Sequence, residues 1–263
     1  MSYDRPTSLD CMDRRVQLGP VDTWYGEDGE GEPLVFLHPG GVDSRALEPN
    51  LVALTRHFRV FTPERRGHGR TPDAPGPMTF DDMATDTIAF VETVVGGPAR
   101  FVGCSDGAVV ALMVALRRPD LVERLACVAG VFHRDGWGGG VSDPDQATPQ
   151  FLVDMYGEIS PDGADHYPVV VGKLDDMHRE GPVVTVEQLR EIDVRLLVMI
   201  GDDDEVTIEH ATEFYSSSKR SELAIVPGTS HGLLVEKPEL CNALLLDFLV
   251  HDAVQTLAPI RRA

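Results

Sequence analysis

Short apolar runs alternate along this chain with segments whose apolar residues recur at the spacing of a helix. Strands are predicted at residues 21–25, 33–38, 59–62, 100–104, within 121–131, and at 194–201 and 223–226. Helices are predicted at residues 45–57, 81–95, 106–118, 208–217 and 238–250. We interpret the first two strands as a pair that enters the sheet. Such alternation is typical of an α/β domain in which helices cover both faces of a mostly parallel sheet.

The alternation is interrupted between residues 132 and 190, where no clear strand pattern is visible. This segment is rich in glycine, proline and aspartate, and short helices are predicted within it at residues 150–156 and 169–179. We therefore predict a small helical cap, or lid, at residues 132–190. It is inserted into a core formed by residues 1–131 and 191–263.

The five residues from Gly103 to Gly107 have the pattern G-x-S-x-G, with Ser105 at the centre. A predicted strand leads into this pentapeptide and a predicted apolar helix leads out of it, which is the setting that the motif requires. The glycines permit a tight turn, and the N-terminus of the helix stabilises negative charge beside the serine. A nucleotide-binding glycine loop is disfavoured, because neither G-x-G-x-x-G nor a Walker lysine occurs here.

A serine hydroxyl needs a general base to act as a nucleophile. The candidate is His231, which lies between the last predicted strand and the last predicted helix. A carboxylate must then hold the imidazole in the correct tautomer. Four consecutive acids, Asp202 to Glu205, end the predicted strand 194–201 and contain the candidate. A metal site built from these acids is the alternative, but no supporting ligands are visible elsewhere.

Composition and charge narrow the range of partners. The chain has 263 residues, of which 42% are hydrophobic, and this suits one α/β domain with an insertion. Its formal net charge of −20 repels phosphate backbones and anionic membranes, so we expect neither nucleic acid nor a membrane as a partner. Residues 1–17 lack an apolar signal-peptide core, and no apolar run is long enough to cross a bilayer. We therefore expect a cytoplasmic protein.

From residue 15 to residue 250 the chain resembles the α/β-hydrolase superfamily. It is especially similar to the compact esterases, enol-lactonases, proline iminopeptidases and cofactor-free haloperoxidases of that superfamily. The order Ser105, Asp204, His231 along the chain is the family's order of nucleophile, acid and base. The resemblance implies an α/β-hydrolase fold, with a mostly parallel central sheet flanked by helices.

The resemblance also selects one acid from the run of four. The family's acid commonly stands three residues after a glycine that ends the strand, and Asp204 stands three residues after Gly201. Asp203 remains an alternative. Asp135 is a second alternative, because some members of the family place the acid after the strand that precedes the cap.

Residues 37–41 resemble the family's His-Gly turn, which supplies part of the oxyanion hole. Pro39 stands where glycine is common, and proline has no N–H to donate. The resemblance therefore implies the backbone N–H of Gly40 as one donor and that of Asp106 as the other. Residues 66–71 resemble the family's Arg-Gly-x-Gly-x-Ser turn, which we interpret as structural.

Serine at the nucleophile position, rather than aspartate, implies acyl transfer to water and argues against dehalogenases and epoxide hydrolases. We predict a small-molecule carboxylic ester or lactone as the substrate. The alternatives are a C–C bond hydrolase of diketone-like compounds and a small-ligand receptor on a hydrolase scaffold. Neither a metal nor a cofactor is expected, since no C-x-x-C pair or other ligand cluster is visible.

Several side chains of the predicted cap are candidates for contact with a substrate. They are Trp137, Tyr156, His166, Tyr167 and Met177. Each of them either lines a pocket or attaches the cap to the core. The sequence contains no indication of the oligomeric state.

Overall fold

A computed structural model of the protein describes residues 14–138 and 148–258. The strands are β1 (Arg14–Leu18), β2 (Val21–Asp28), β3 (Glu32–Leu37), β4 (Phe58–Pro63), β5 (Ala99–Cys104), β6 (Val122–Val128), β7 (Arg195–Asp203) and β8 (Ser221–Ser230). They form a sheet of eight strands within the described residues, in the order β1-β2-β4-β3-β5-β6-β7-β8. β2 is antiparallel to both β1 and β4, and all the other neighbours are parallel.

Helices cover both faces of this sheet. They are α1 (Glu48–Leu54), α2 (Phe80–Phe90), α3 (Asp106–Arg117), α4 (Gln150–Ile159), α5 (Tyr167–Glu180), α6 (Val186–Glu191), α7 (Ile208–Ser217), α8 (Leu233–Glu236) and α9 (Pro238–Val250). Apolar residues of α2, α3 and α7 belong to the core on one face, and those of α1, α8 and α9 to the core on the other. The architecture confirms the predicted α/β-hydrolase fold.

The central strands are apolar at consecutive positions because both of their faces are buried. In β3, Val35 and Leu37 belong to one core, while Leu34 and Phe36 belong to the other. This two-sided burial is typical of parallel strands beneath two helical layers. It brings the carboxyl ends of β3, β5, β7 and β8 to one edge of the sheet, where functional residues of such folds collect.

The helices α4, α5 and α6 follow β6 and precede β7, in the segment predicted as a cap. Polar contacts join these helices to the core. The carboxylate of Asp73 accepts hydrogen bonds from His166 at 2.9 Å and from Lys173 at 2.6 Å, and Arg45 pairs with Glu158 at 2.7 Å. The part of the predicted cap at residues 139–147 lies outside the described residues, as do residues 1–13 and 259–263 of the predicted core.

Several predicted elements differ from the structure. The strands predicted at 21–25 and 33–38 are not neighbours, because β4 lies between them. β1 was not predicted, since as an edge strand it is half exposed and carries the polar sequence RRVQL. The helix predicted at 45–57 starts as a 3-10 turn and ends at Leu54. The helices α6 and α8 were not predicted from the sequence. Within the described residues, no helix has the length and apolar character needed to span a membrane.

Candidate active site

Ser105 lies in the tight turn between β5 and α3. Its backbone has φ 53° and ψ −121°, a left-handed conformation that costs energy for a residue with a side chain. The neighbouring glycines are required by close packing. A Cβ on Gly103 would lie 2.2 Å from the carbonyl oxygen of Gly107, and a Cβ on Gly107 would lie 2.4 Å from that of Leu37. The turn therefore holds the serine between two strand ends at the carboxyl edge of the sheet.

His231 follows β8 and reaches Ser105 across the end of β7. Its Nε2 atom lies 3.0 Å from Oγ of Ser105, and its Nδ1 atom lies 2.7 Å from Oδ1 of Asp204. The Asp204 carboxylate also accepts the backbone N–H groups of Gly201 and Val206, at 3.0 and 3.1 Å. These bonds fix the carboxylate, which in turn fixes the imidazole, so the structure brings together the three residues that the sequence indicated.

The electrostatics of these hydrogen-bonded residues favour a charged Asp204 and a basic His231. Burial alone would raise the pKa of Asp204, but the hydrogen bond and charge of His231 and the two backbone hydrogen bonds together outweigh it, and the pKa is lowered. Burial alone would lower the pKa of His231, but the hydrogen bond and charge of Asp204, with the charges of Glu205 and Asp106, together outweigh it, and the pKa is raised. The pair can therefore accept and stabilise a proton taken from Ser105.

The alternative acids lie elsewhere. Asp203 is exposed. Asp135 is in a 3-10 turn, with its side chain 82% exposed and 3.3 Å from His133. The carboxylate of Asp202 accepts the backbone N–H groups of residues 228–229 at 2.6 and 3.1 Å, and so supports the loop that leads to His231.

One backbone amide of the turn after β3 already donates a hydrogen bond within the protein. The N–H of Gly41 donates to Nε2 of His68 at 3.1 Å, and the carbonyl oxygen of Gly41 accepts from the hydroxyl of Tyr167 at 2.7 Å. Burial lowers the pKa of His68 to about 4, so its ring is neutral and can accept this bond. Gly40 is left as the candidate oxyanion donor of the turn. The other candidate, the N–H of Asp106, is in the first turn of α3, where amides have no partner within the helix.

The side chain of Asp106 has a partner that the sequence did not reveal. Its Oδ1 atom lies 2.7 Å from Nε2 of His178, on the cap helix α5. Burial would raise the pKa of Asp106, but the charge of His178 lowers it, and Asp106 in return raises the pKa of His178 against the effect of burial. The two side chains therefore form a buried ion pair directly beside Ser105. No motif in the sequence pairs His178 with Asp106.

The five cap residues proposed for substrate contact have different surroundings. The rings of Tyr156 and Tyr167 lie 5.1 Å apart and are buried, and His166 binds the core residue Asp73. These three attach the cap to the core. Trp137 lies closest to the chemistry, because its ring is 6.0 Å from that of His231.

A cavity of about 630 Å³ lies near the site, between α2 and α3 on one side and α5 and α6 on the other. Met177 and Phe80 line it, and the ring of Phe80 lies 6.1 Å from that of His178. Ser105 and His231 are not among its lining residues. Met177 thus lines a cavity, although this cavity does not contain the nucleophile.

Comparisons with known proteins place the chain among hydrolases. The (E)-2-((N-methylformamido)methylene)succinate hydrolase of Acinetobacter baylyi is 34% identical over 110 residues, which is 42% of each chain. The 2-hydroxy-6-oxo-6-(2'-aminophenyl)hexa-2,4-dienoic acid hydrolase of Metapseudomonas resinovorans is 27% identical over 94% of each chain. The enol-lactonase of Burkholderia xenovorans shares the fold, with a TM-score of 0.73 and 22% identity over 90% of this chain and 100% of that one. A model of the alpha/beta hydrolase family matches residues 34–244, and the chain therefore belongs to that family.

Proposed function

We propose that this hydrolase cleaves a small-molecule carboxylic ester or lactone, with Ser105 as nucleophile, His231 as base and Asp204 as the orienting acid. The observation that carries the proposal is the continuous hydrogen-bond chain from Ser105 Oγ through His231 to Asp204, at 3.0 and 2.7 Å. Hydrogen-bond contact between nucleophile and base, with a third group orienting the base, is the arrangement that activates a serine.

In the first half of the reaction, Nε2 of His231 takes the hydroxyl proton as Oγ of Ser105 attacks the substrate carbonyl carbon. The negative charge that forms on the carbonyl oxygen is stabilised by the N–H groups of Gly40 and Asp106. The C–O bond to the leaving group then breaks, and His231 returns its proton to the leaving oxygen. The product is an acyl-enzyme on Ser105 and a free alcohol, or a single ring-opened acyl-enzyme from a lactone.

In the second half, His231 removes a proton from a water molecule, which attacks the acyl carbon. The bond to Ser105 Oγ breaks, and the proton returns from His231 to the serine. Asp204 stays ionised throughout and stabilises the imidazolium that forms twice in the cycle. The acid product is released.

Turnover of short-chain p-nitrophenyl esters and of small lactones tests this proposal. We expect hydrolysis by the wild-type protein, a burst of p-nitrophenol when deacylation limits the rate, and none by Ser105→Ala with an unchanged melting temperature. A fluorophosphonate probe should label Ser105, as mass spectrometry of the labelled peptide would show. Labelling of another serine in the folded protein, or full activity of Ser105→Ala, would refute the assignment.

A second candidate function is hydrolysis of a C–C bond next to a ketone. It is favoured by the relative in Metapseudomonas resinovorans, whose name describes a hydrolase of an oxo-dienoic acid. The same residues would serve, but the leaving group would be a carbanion that must be protonated at carbon. Turnover of such a dienoic acid, measured by loss of its absorbance, with no turnover of esters or lactones would select this function. A protein that binds these compounds but turns over none of them would be a receptor.

A further inference from the structure

Two side-chain nitrogens near Ser105 are buried without a hydrogen-bond partner among the described residues. One is Nε1 of Trp137 and the other is Nδ1 of His178. The indole nitrogen of tryptophan is a donor, and Nδ1 of a histidine whose Nε2 donates is a donor when the ring is protonated. Nε2 of His178 is engaged with Asp106, so Nδ1 is the nitrogen left over. Leaving a buried donor unpaired costs free energy, and such groups in native proteins are commonly explained by a functional role.

Both donors lie beside the reacting atoms. The ring of Trp137 is 6.1 Å from the ring of His178 and 6.0 Å from the ring of His231, with an interplanar angle of 65° in each case. Trp137 thus stands between the candidate base and His178.

A further buried cation lies close to these donors. His178 is paired with Asp106, and the guanidinium of Arg65 is buried near the same carboxylate. Burial lowers the pKa of Arg65 to about 10, so it stays charged at neutral pH. Asp204 is matched by His231 on the other side of the site. Arg65 and His178 therefore both face the carboxylate of Asp106, while the carboxylates of Asp175 and Glu205 also act on His178.

The free oxygen of Asp106 is poorly placed to bind a cationic substrate instead. A Cβ on Gly40 would lie 2.0 Å from Oδ2 of Asp106, so this oxygen packs directly against the backbone of the turn. An ammonium group would have to displace that turn in order to reach it. Apart from that packed oxygen, the buried side-chain atoms of Trp137 and His178 that lack a partner are nitrogens.

We propose that the side-chain N–H groups of Trp137 and His178 together bind a carboxylate carried by the substrate, so that the enzyme prefers acidic substrates to neutral ones of the same size. This proposal rests on the proposed hydrolytic function and names the class of substrate for that site. Trp137 and His178 would both donate hydrogen bonds to the carboxylate, and protonated His178 would also carry a positive charge.

The first test compares p-nitrophenyl esters that differ only in charge at the far end of the acyl group. The acidic ester is hemiglutarate, the neutral one of similar shape is 5-methylhexanoate, and the cationic one is 6-aminohexanoate. We expect kcat/KM for the hemiglutarate to exceed that for the neutral ester by about tenfold or more, as for a hydrogen bond to a charged group. In Trp137→Phe, which keeps the ring and loses the N–H, this ratio should fall about fivefold or more. Trp24→Phe is the matched control, since Trp24 lies on β2 against Arg70, and it should keep the wild-type ratio.

The second test measures binding without chemistry. Calorimetric titration of Ser105→Ala with glutarate should show binding that glutaramide lacks, and adding Trp137→Phe should weaken it about tenfold. Binding of glutarate with this dependence, in a protein that hydrolyses no ester, would support the carboxylate site and refute the ester function. Hydrolysis of all three esters at similar rates, faster hydrolysis of the cationic ester, or a ratio unaffected by Trp137→Phe would overturn the carboxylate site and leave the ester function standing.

Discussion

Nε2 of His178 lies 2.7 Å from Oδ1 of Asp106, and this contact joins the cap helix α5 to the residue that follows the candidate nucleophile. The same residue supplies a candidate oxyanion donor through its N–H. An unpaired carboxylate at this point would oppose the negative charge that develops in the transition state. The pairing with His178 on α5 therefore offsets the carboxylate of Asp106 at this position.

We expect His178→Ala to lower kcat by about 10- to 100-fold, because Asp106 then keeps a buried charge without its partner. The melting temperature should fall as well, since breaking a buried ion pair costs about 3–5 kcal/mol. Steady-state kinetics with a neutral ester and thermal denaturation measure the two effects.

The double variant Asp106→Asn/His178→Gln separates charge from packing. It removes both charges and keeps two side chains that can hydrogen-bond, so kcat should recover relative to His178→Ala. If kcat stays as low in the double variant as in the single one, the charge of Asp106 is not the cause of the loss.

Asp204→Asn should lower kcat by about 10⁴, as is typical when the acid of such a triad becomes an amide and the imidazole loses its preferred tautomer. Asp203→Asn and Asp135→Asn are the matched controls, because both side chains are exposed and neither is hydrogen-bonded to His231. Asp202→Asn should have an intermediate effect through the loop that it holds. A crippling loss in Asp203→Asn or Asp135→Asn would show that the acid was misidentified.

The pH dependence of kcat/KM should report the raised pKa of His231. The imidazole acts as a base only when neutral, so activity should rise with pH, and the midpoint of the rise should lie above the ordinary value of 6.5. In Asp204→Asn the largest contributions that raise the pKa of His231 are lost while burial remains, so the midpoint should move to lower pH. Rate profiles of both proteins between about pH 5 and 9 check this. A midpoint that does not move would mean that another group controls the acidic limb.

Gly40→Pro removes one candidate oxyanion donor and should lower kcat by about 10² to 10³. Gly40→Ala keeps the N–H, but its Cβ would lie 2.0 Å from Oδ2 of Asp106, so it should lower kcat by displacing that side chain. Pro39→Gly is the control and should leave kcat within about tenfold, because position 39 donates no amide to the substrate in the wild type. A large loss in Pro39→Gly would show that the rigidity of the turn, rather than its donor, matters.

The sequence was informative where function depends on local geometry. Ser105 could be predicted because its glycine neighbours are forced by the turn itself, and the order of strands and helices followed from burial on both faces of the sheet. β1 was not predicted, because an edge strand buries too few apolar side chains to show an apolar run. The role of His178 was not predicted, because its contact with Asp106 depends on how α5 packs on the core. The sequence around it resembles that of any amphipathic helix.

His231 directly follows β8, which is an edge strand of the sheet. β8 ends the strand order, and many of its residues are partly or fully exposed. A rim strand opens at lower cost than the strands inside a sheet. On gentle heating, fraying of β8 would carry the base away from Ser105 while the inner strands stay paired. We therefore expect enzymatic inactivation to begin several degrees below the loss of the circular dichroism signal, with the earliest amide exchange along residues 221–230.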